Sequence, residues 1–126
     1  MRKLLIDSSI LIDFLRVKEK KKSPFYKLVG NNQLYTSVIV HTELFSGKKV
    51  WEDETTFLEV EDIFSGIEIL PITEEISKKA GQFKATFLSD IVDSIIAATS
   101  LSYKLTLVTL NVKDFKMVKG LKILKI

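Results

Sequence analysis

Cysteine is absent from the chain, and histidine occurs once, at His41. The first absence excludes thiolate catalysis, disulfide bonds and thiolate-held zinc, and it suits a reducing compartment. The second excludes a metal centre built from a histidine cluster. Glycine is limited to five residues and proline to two, and no linker, repeat or low-complexity tract interrupts the chain. No apolar run approaches the roughly 18 residues needed to span a bilayer, and no apolar stretch followed by a small-residue cleavage site opens the chain. A cytoplasmic location with no membrane contact is therefore expected. What the chain does have is oxygen: its 16 Asp and Glu residues leave a hard, oxygen-ligated divalent cation as the open class of metal.

A chain of 126 residues with 46% apolar content can fill a single core, so one domain spanning residues 1–126 is expected. The formal charge of +3 is unevenly spread: nine acids and no Lys or Arg stand between Trp51 and Glu75, leaving all 19 basic residues against the other seven acids. A basic surplus of that kind suits a polyanionic partner such as RNA or DNA, and it also serves solubility.

Hydrophobic patterning alternates between two periods. Lys3 to Asp7 reads as a short, continuously apolar strand, as in a parallel sheet covered on both faces. Ser8 or Ser9 can cap a helix with Ile10, Leu11, Phe14 and Leu15 on its inner stripe, running out in KEKKK. A short helix from Pro24 to about Val29 leads to a Gly-Asn-Asn turn, and Leu34 to Thr36 forms a second strand. Ser37 can cap a helix through VIVHTELFSGKK, and WEDETTFLEVEDIFSG gives an acidic helix before the strand IEILPI. TEEISKKAGQFKATFL places Ile76, Ala80, Phe83 and Phe87 on one helical face. DIVDSIIAATSLSY, apolar nearly all round, reads as a buried central helix. TLVTL is a strand, NVKDF a turn, and LKILKI a closing strand. The alternation implies an α/β fold of three layers, α/β/α, around a mostly parallel sheet of four to five strands.

In open parallel sheets, sites form beyond the carboxyl ends of the strands. Asp7 ends the first strand, Asn111 follows TLVTL, and Asp93 lies near the start of the central helix. Glu43 belongs to the helix after the second strand, beside Ile39, Val40 and Gly47, where an isolated carboxylate is costly unless paired or given a metal. Each residue has a structural alternative. Asp7 can cap its own helix, Asp93 can close a capping box with Asp90, Glu43 can reach solvent, and Asn111 can serve a turn. The functional reading rests on four oxygen-bearing side chains, distant in sequence, that one fold delivers to one edge.

The segments LLIDSSILIDFL, TELFSG and DSIIAATSLSYKLTLVTLNVKDF occur in the order found in PIN-domain ribonucleases, and the chain resembles that family, in particular the VapC-type toxins of prokaryotic toxin–antitoxin pairs. The resemblance spans essentially the whole chain. It implies a PIN-like fold whose acids coordinate Mg²⁺ or Mn²⁺, one ion or two, and an enzyme that cleaves single-stranded or looped RNA. Carried over by position, the acids are Asp7, Glu43 and Asp93, with Asn111 at a fourth position often held by Asp. Asn lowers the charge there, and Asp90 and Asp114 are the neighbouring acids able to supplement it. Ser8 and Ser9 would stand as hydroxyls beside Asp7, and Thr109 beside Asn111. The resemblance also implies a small antitoxin as partner and a homodimer, for which the acidic helix from Trp51 to Phe64 and the Phe83 and Phe87 helix offer surface.

Converging carboxylates raise one another's pKa, and a divalent cation relieves the repulsion. Attack on phosphorus by a metal-activated water would leave a 5′-phosphate and a 3′-hydroxyl. An acidic pocket needs a basic rim to accept RNA, and Arg16, Lys18, Lys113 and Lys116 are candidates, with Lys20 to Lys22 alongside. Trp51, Tyr26 and Tyr35 are available for base stacking or for packing. A carboxylate closing the first strand also marks haloacid-dehalogenase phosphatases, which need a second Asp where Ser9 stands, and receiver domains, which need a phospho-acceptor Asp that LPIT lacks. The remaining alternative is a catalytically inactive PIN-like module that binds RNA or protein.

Overall fold

The computed structural model describes residues 1–88 and 90–126. Among them β1 (Lys3–Ile6), β2 (Gln33–Ser37), β3 (Ile67–Leu70) and β4 (Thr106–Val108) form one sheet in the order β3-β2-β1-β4. All three pairings are parallel, with Leu4 opposite Leu34 on one side of β1 and opposite Thr106 on the other. Leu4, Leu5 and Ile6 are fully buried because the central strand has neighbours on both edges and helices on both faces.

The helices are α1 (Ser8–Arg16), α2 (Pro24–Leu28), α3 (Val38–Leu44), α4 (Lys48–Glu52), α5 (Glu54–Ile63), α6 (Glu74–Thr86) and α7 (Ile91–Tyr103). From β1 to β3 the chain steps across the sheet in one direction, and from β3 to β4 it jumps back past β1. Right-handed crossovers then put α1 to α5 on one face and α6 with α7 on the other. The packing agrees: α1 touches α2, α3 and α5, while α6 and α7 lie against each other. The order reverses between β1 and β4, which makes the carboxyl ends of those two strands the switch point where open sheets place their sites. α7 is buried along most of its length, and Ala97 and Ala98 carry too little side chain to hold it off the sheet.

Four local expectations change. The helix through VIVHTELFSGKK stops at Leu44 and restarts at Lys48, and the acidic helix breaks at Asp53, whose carboxylate accepts from the Thr56 N–H at 3.3 Å. Short polar side chains that bond nearby backbone end one helix as readily as they begin the next. LKILKI does not form a fifth strand. It makes a single parallel bridge between Leu107 and Ile123, closed by Leu107 N–H to the Lys122 carbonyl and Leu124 N–H to the Leu107 carbonyl, both 2.8 Å. Only alternate residues of β4 face outward, and the previous one, Leu105, donates its N–H to the Ser100 carbonyl of α7 instead. Finally, α6 ends at Thr86, so Phe87 leaves the stripe of Ile76, Ala80 and Phe83 and stands 41% exposed.

Candidate active site

Asp7 lies where β1 becomes α1, and the switch point is stitched around it. Its N–H donates to the Val108 carbonyl at 3.2 Å, so β1 and β4 end side by side. The Asp7 Oδ1 accepts from the Ser9 hydroxyl at 2.6 Å and from the Ile10 N–H at 3.4 Å. Asp7 is thus the cap of α1, in place of Ser8 or Ser9. Capping and site membership are compatible here, because both bonds fall on one carboxylate oxygen. Ser9 also accepts from the Leu110 N–H at 3.0 Å and meets the Thr109 hydroxyl at 3.5 Å, joining residues a hundred positions apart. Thr109 accepts from the Asn111 N–H at 3.0 Å, which sets the turn after β4.

Asp7 is only 3% exposed, and burial raises its pKa even though Ser9, Thr109 and the Ile10 N–H favour the charged form. Glu43 sits in the last turn of α3, a helix started by Ser37, whose hydroxyl accepts from the Ile39 N–H at 3.2 Å. Partial desolvation raises its pKa, the Ser8 hydroxyl lowers it, and the charges of Asp90 and Asp7 raise it again. Ser8 therefore serves Glu43, whereas the sequence reading put it beside Asp7. Asp93, in the first turn of α7, is pushed up to about 6 by burial and then by Asp90, Asp114, Asp7 and Glu43. Five acids from four separate segments accordingly lie within electrostatic reach at one edge.

The other candidates divide. Asp90 caps α7, its Oδ1 accepting from the Asp93 N–H at 2.9 Å, so half of the capping box is present and Asp90 is held as a helix cap. Asn111 is exposed and opens the 3-10 turn Val112–Phe115, which carries Asp114 toward Asp93. Asp114, three residues beyond the position that the resemblance marks, thus lies with Asp90 within electrostatic reach of Asp93. Lys113 and Lys116 flank it and are exposed. Arg16 ends α1, about 12 Å along the axis from Ser8, and Lys18 lies beyond it. A crossover helix must run back from the carboxyl edge, so these two do not rim it. Lys20 Nζ donates to the Phe14 and Leu15 carbonyls at the end of α1, a structural role missed in the sequence. Asp13 accepts from the Ser23 hydroxyl at 3.1 Å and ties α1 to the start of α2.

Among the described residues no three of these carboxylates stand closely enough to enclose an ion as they are. Their chemistry nevertheless fits a hard divalent cation: all donors are oxygens, each of the three carried-over acids has a pKa raised first by burial, and for Glu43 and Asp93 repulsion by neighbouring acids raises it further. Asp7, Glu43 and Asp93 are the residues that could hold it.

The family model for the PIN domain matches residues 4–121. Ribonuclease VapC1 of Rickettsia felis is 35% identical over 98% of this chain and 96% of its own length. Among solved structures, a toxin–antitoxin complex from Klebsiella pneumoniae superposes with a TM-score of 0.74 at 26% identity, covering 94% of both chains. DNA-bound VapBC from Salmonella typhimurium has the same fold, with a TM-score of 0.80 at 24% identity over 98% of both chains. A family match over nearly the entire chain, the parallel sheet with its acidic switch point and these relatives agree, and the chain belongs to the PIN domain family and, within it, to the VapC proteins.

Proposed function

We propose that the protein is a divalent-metal-dependent endoribonuclease that hydrolyses RNA phosphodiester bonds, the toxin of a VapBC-type pair restrained by its cognate antitoxin. The observation that carries the reading is Asp93, held near a pKa of about 6 by burial and four other acids at the switch point. Such a cluster is poorly suited to stability alone and well suited to a cation and the phosphate it would bring. Asp7, Glu43 and Asp93 are the residues assigned to Mg²⁺ or Mn²⁺, one ion or two. When bound, the ion would neutralise these charges and lower the pKa of a water for attack on phosphorus.

The chain's own groups do the remainder. Ser9 and the Ile10 N–H hold the Asp7 carboxylate in one orientation, and Ser8 favours the charged form of Glu43. Thr109 fixes the Asn111 backbone, so the turn presents Asp114 to Asp93 and Lys113 and Lys116 to the phosphate backbone. The antitoxin and a homodimer are the expected protein partners. Among the described residues no helix is long and apolar enough to cross a membrane.

The test is cleavage of a single-stranded RNA in Mn²⁺ or Mg²⁺ by the wild type and by Asp7→Asn, with circular dichroism of both. Metal-dependent products carrying 5′-phosphates, abolished in the folded variant, are expected. A folded wild type that binds metal no better than Asp7→Asn and leaves RNA intact would establish the non-catalytic module instead.

A further inference from the structure

A second groove lies on the opposite helical layer, on the face that carries α6 and α7. It is a cavity of about 420 Å³ between α6, α7 and the segment after the 3-10 turn, lined by Lys79, Phe83, Phe87, Leu101, Met117 and Lys119 among others. Its apolar surface is open: Met117 is 69% and Phe87 41% exposed. The Phe83 and Phe87 rings lie 5.3 Å apart, and Lys79 Nζ stands 5.7 Å over the Phe83 ring. Among the described residues its lining includes no acid. The aromatic groove on the other helical layer is different: it holds Phe45 with Trp51, Phe57 and Glu61, the last three from the segment that has nine acids and no Lys or Arg.

Stacking surfaces flanked by lysines are the composition of a single-strand nucleic-acid path, in which bases lie on apolar rings and phosphates meet cations. The groove also lies within a few nucleotides of the site along α7. α7 carries Asp93 in its first turn and Leu101 about 12 Å further along its axis. The turn that presents Asp114 leads within a few residues to Lys116, Met117 and Lys119. We infer that this groove, on a face the sequence suggested for protein contacts, binds the RNA strand beyond the scissile phosphate. Lys79 and Lys119 contact phosphates, and Phe87 with Met117 supports the bases. The inference rests on the ribonuclease reading for its orientation, since that reading places the phosphate at Asp93.

The test compares an RNA of about 12 nucleotides with one of about 4, both within the roughly 4–16 nucleotides that single-strand sites cover. Cleavage is measured in Mn²⁺ and binding by fluorescence anisotropy in EDTA. For the wild type, kcat/KM should favour the longer RNA by about tenfold. In K79E/K119E that preference should collapse toward one, and the slope of log affinity against log salt should fall by about 1.4, as for two lost phosphate contacts on a single strand. Phe87→Ser should reduce longer-RNA affinity without changing the salt slope, while K48E/K49E, with the same charge change elsewhere, should keep the preference. Unchanged length preference and salt slope in K79E/K119E would overturn the inference, as would a shift in that variant's oligomeric mass with RNA binding intact, which would mark the groove as an interface between copies. If the wild type cuts neither RNA yet binds the longer one through Lys79 and Lys119, the ribonuclease reading fails and the groove stands.

Discussion

The two ends of the parallel sheet bury very different groups. At the amino end, Phe14, Phe25, Leu34, Ile63 and Ile67 surround an apolar cavity of about 340 Å³, and the Phe14 and Phe25 rings meet edge to face at 5.2 Å. At the carboxyl end, Asp7 is buried, and Glu43, Asp90, Asp93 and Asp114 lie within electrostatic reach along the same edge. Burial favours folding at the first end and opposes the charged form of the acids at the second. Stability is concentrated where the strands begin, and function is proposed where they end. Stability and activity should therefore respond separately to substitutions at the two ends.

The largest contrast pairs one residue from each end. Asp7→Asn is expected to lower RNA cleavage by more than about a hundredfold, since even the hydrogen-bonding partners of metal ligands are worth about 10–100-fold. It should at the same time raise the apo protein's melting temperature, because Asn keeps the Oδ1 acceptor for Ser9 and Ile10 and removes the buried charge. Phe25→Ala should do the reverse, costing about 3–5 kcal/mol in denaturant unfolding while the folded fraction keeps its specific activity. Loss of both properties in both variants would erase the distinction.

Next is pH. Asp93 moves from 3.8 to about 6 on folding, so the folded chain keeps a proton that the unfolded chain has released. Stability is then greatest in acid and falls as pH rises from about 4 to about 6, with Asp7 and Glu43 shifted in the same direction. Melting curves in EDTA should show that decline, Asp93→Asn should flatten it, and Mn²⁺ should restore stability above pH 6. A smaller effect is expected from Ser9→Ala, about a tenfold loss of Mn²⁺ affinity by isothermal titration. The smallest is Asp13→Ala at the amino end, about 1 kcal/mol from the lost Ser23 bond and no change in metal affinity.

Much of this was legible along the chain. Short apolar runs located the strands β1 to β4 and period-3.6 patterning the main helices, and Ser37, Thr73 and Asp90 appear at their starts as the caps that the structure shows. Less was legible where a side chain chose between two nearby partners. Ser8 and Ser9 are equivalent in sequence, yet one serves Glu43 and the other Asp7, because the first turn of a helix points successive residues about 100° apart. LKILKI has the composition of a strand but only one residue's worth of ladder to join, a fact that resides in β4 and α7.

The sequence by itself determined the alternation of strands and helices, the family, the want of thiolate and clustered histidine ligands, and the segregation of acids between Trp51 and Glu75 from the basic remainder. Tertiary structure alone decided that Asp114 comes within electrostatic reach of Asp93, that Arg16 and Lys18 turn away from the edge, that Ser9 reaches Thr109, and that two aromatic grooves, one lined by lysines and one by Glu61, lie on opposite layers. The physical reason is distance along the chain. Patterning and capping act over a few residues, whereas a site at a switch point is assembled from strands whose order is set only when the whole sheet closes its hydrogen bonds.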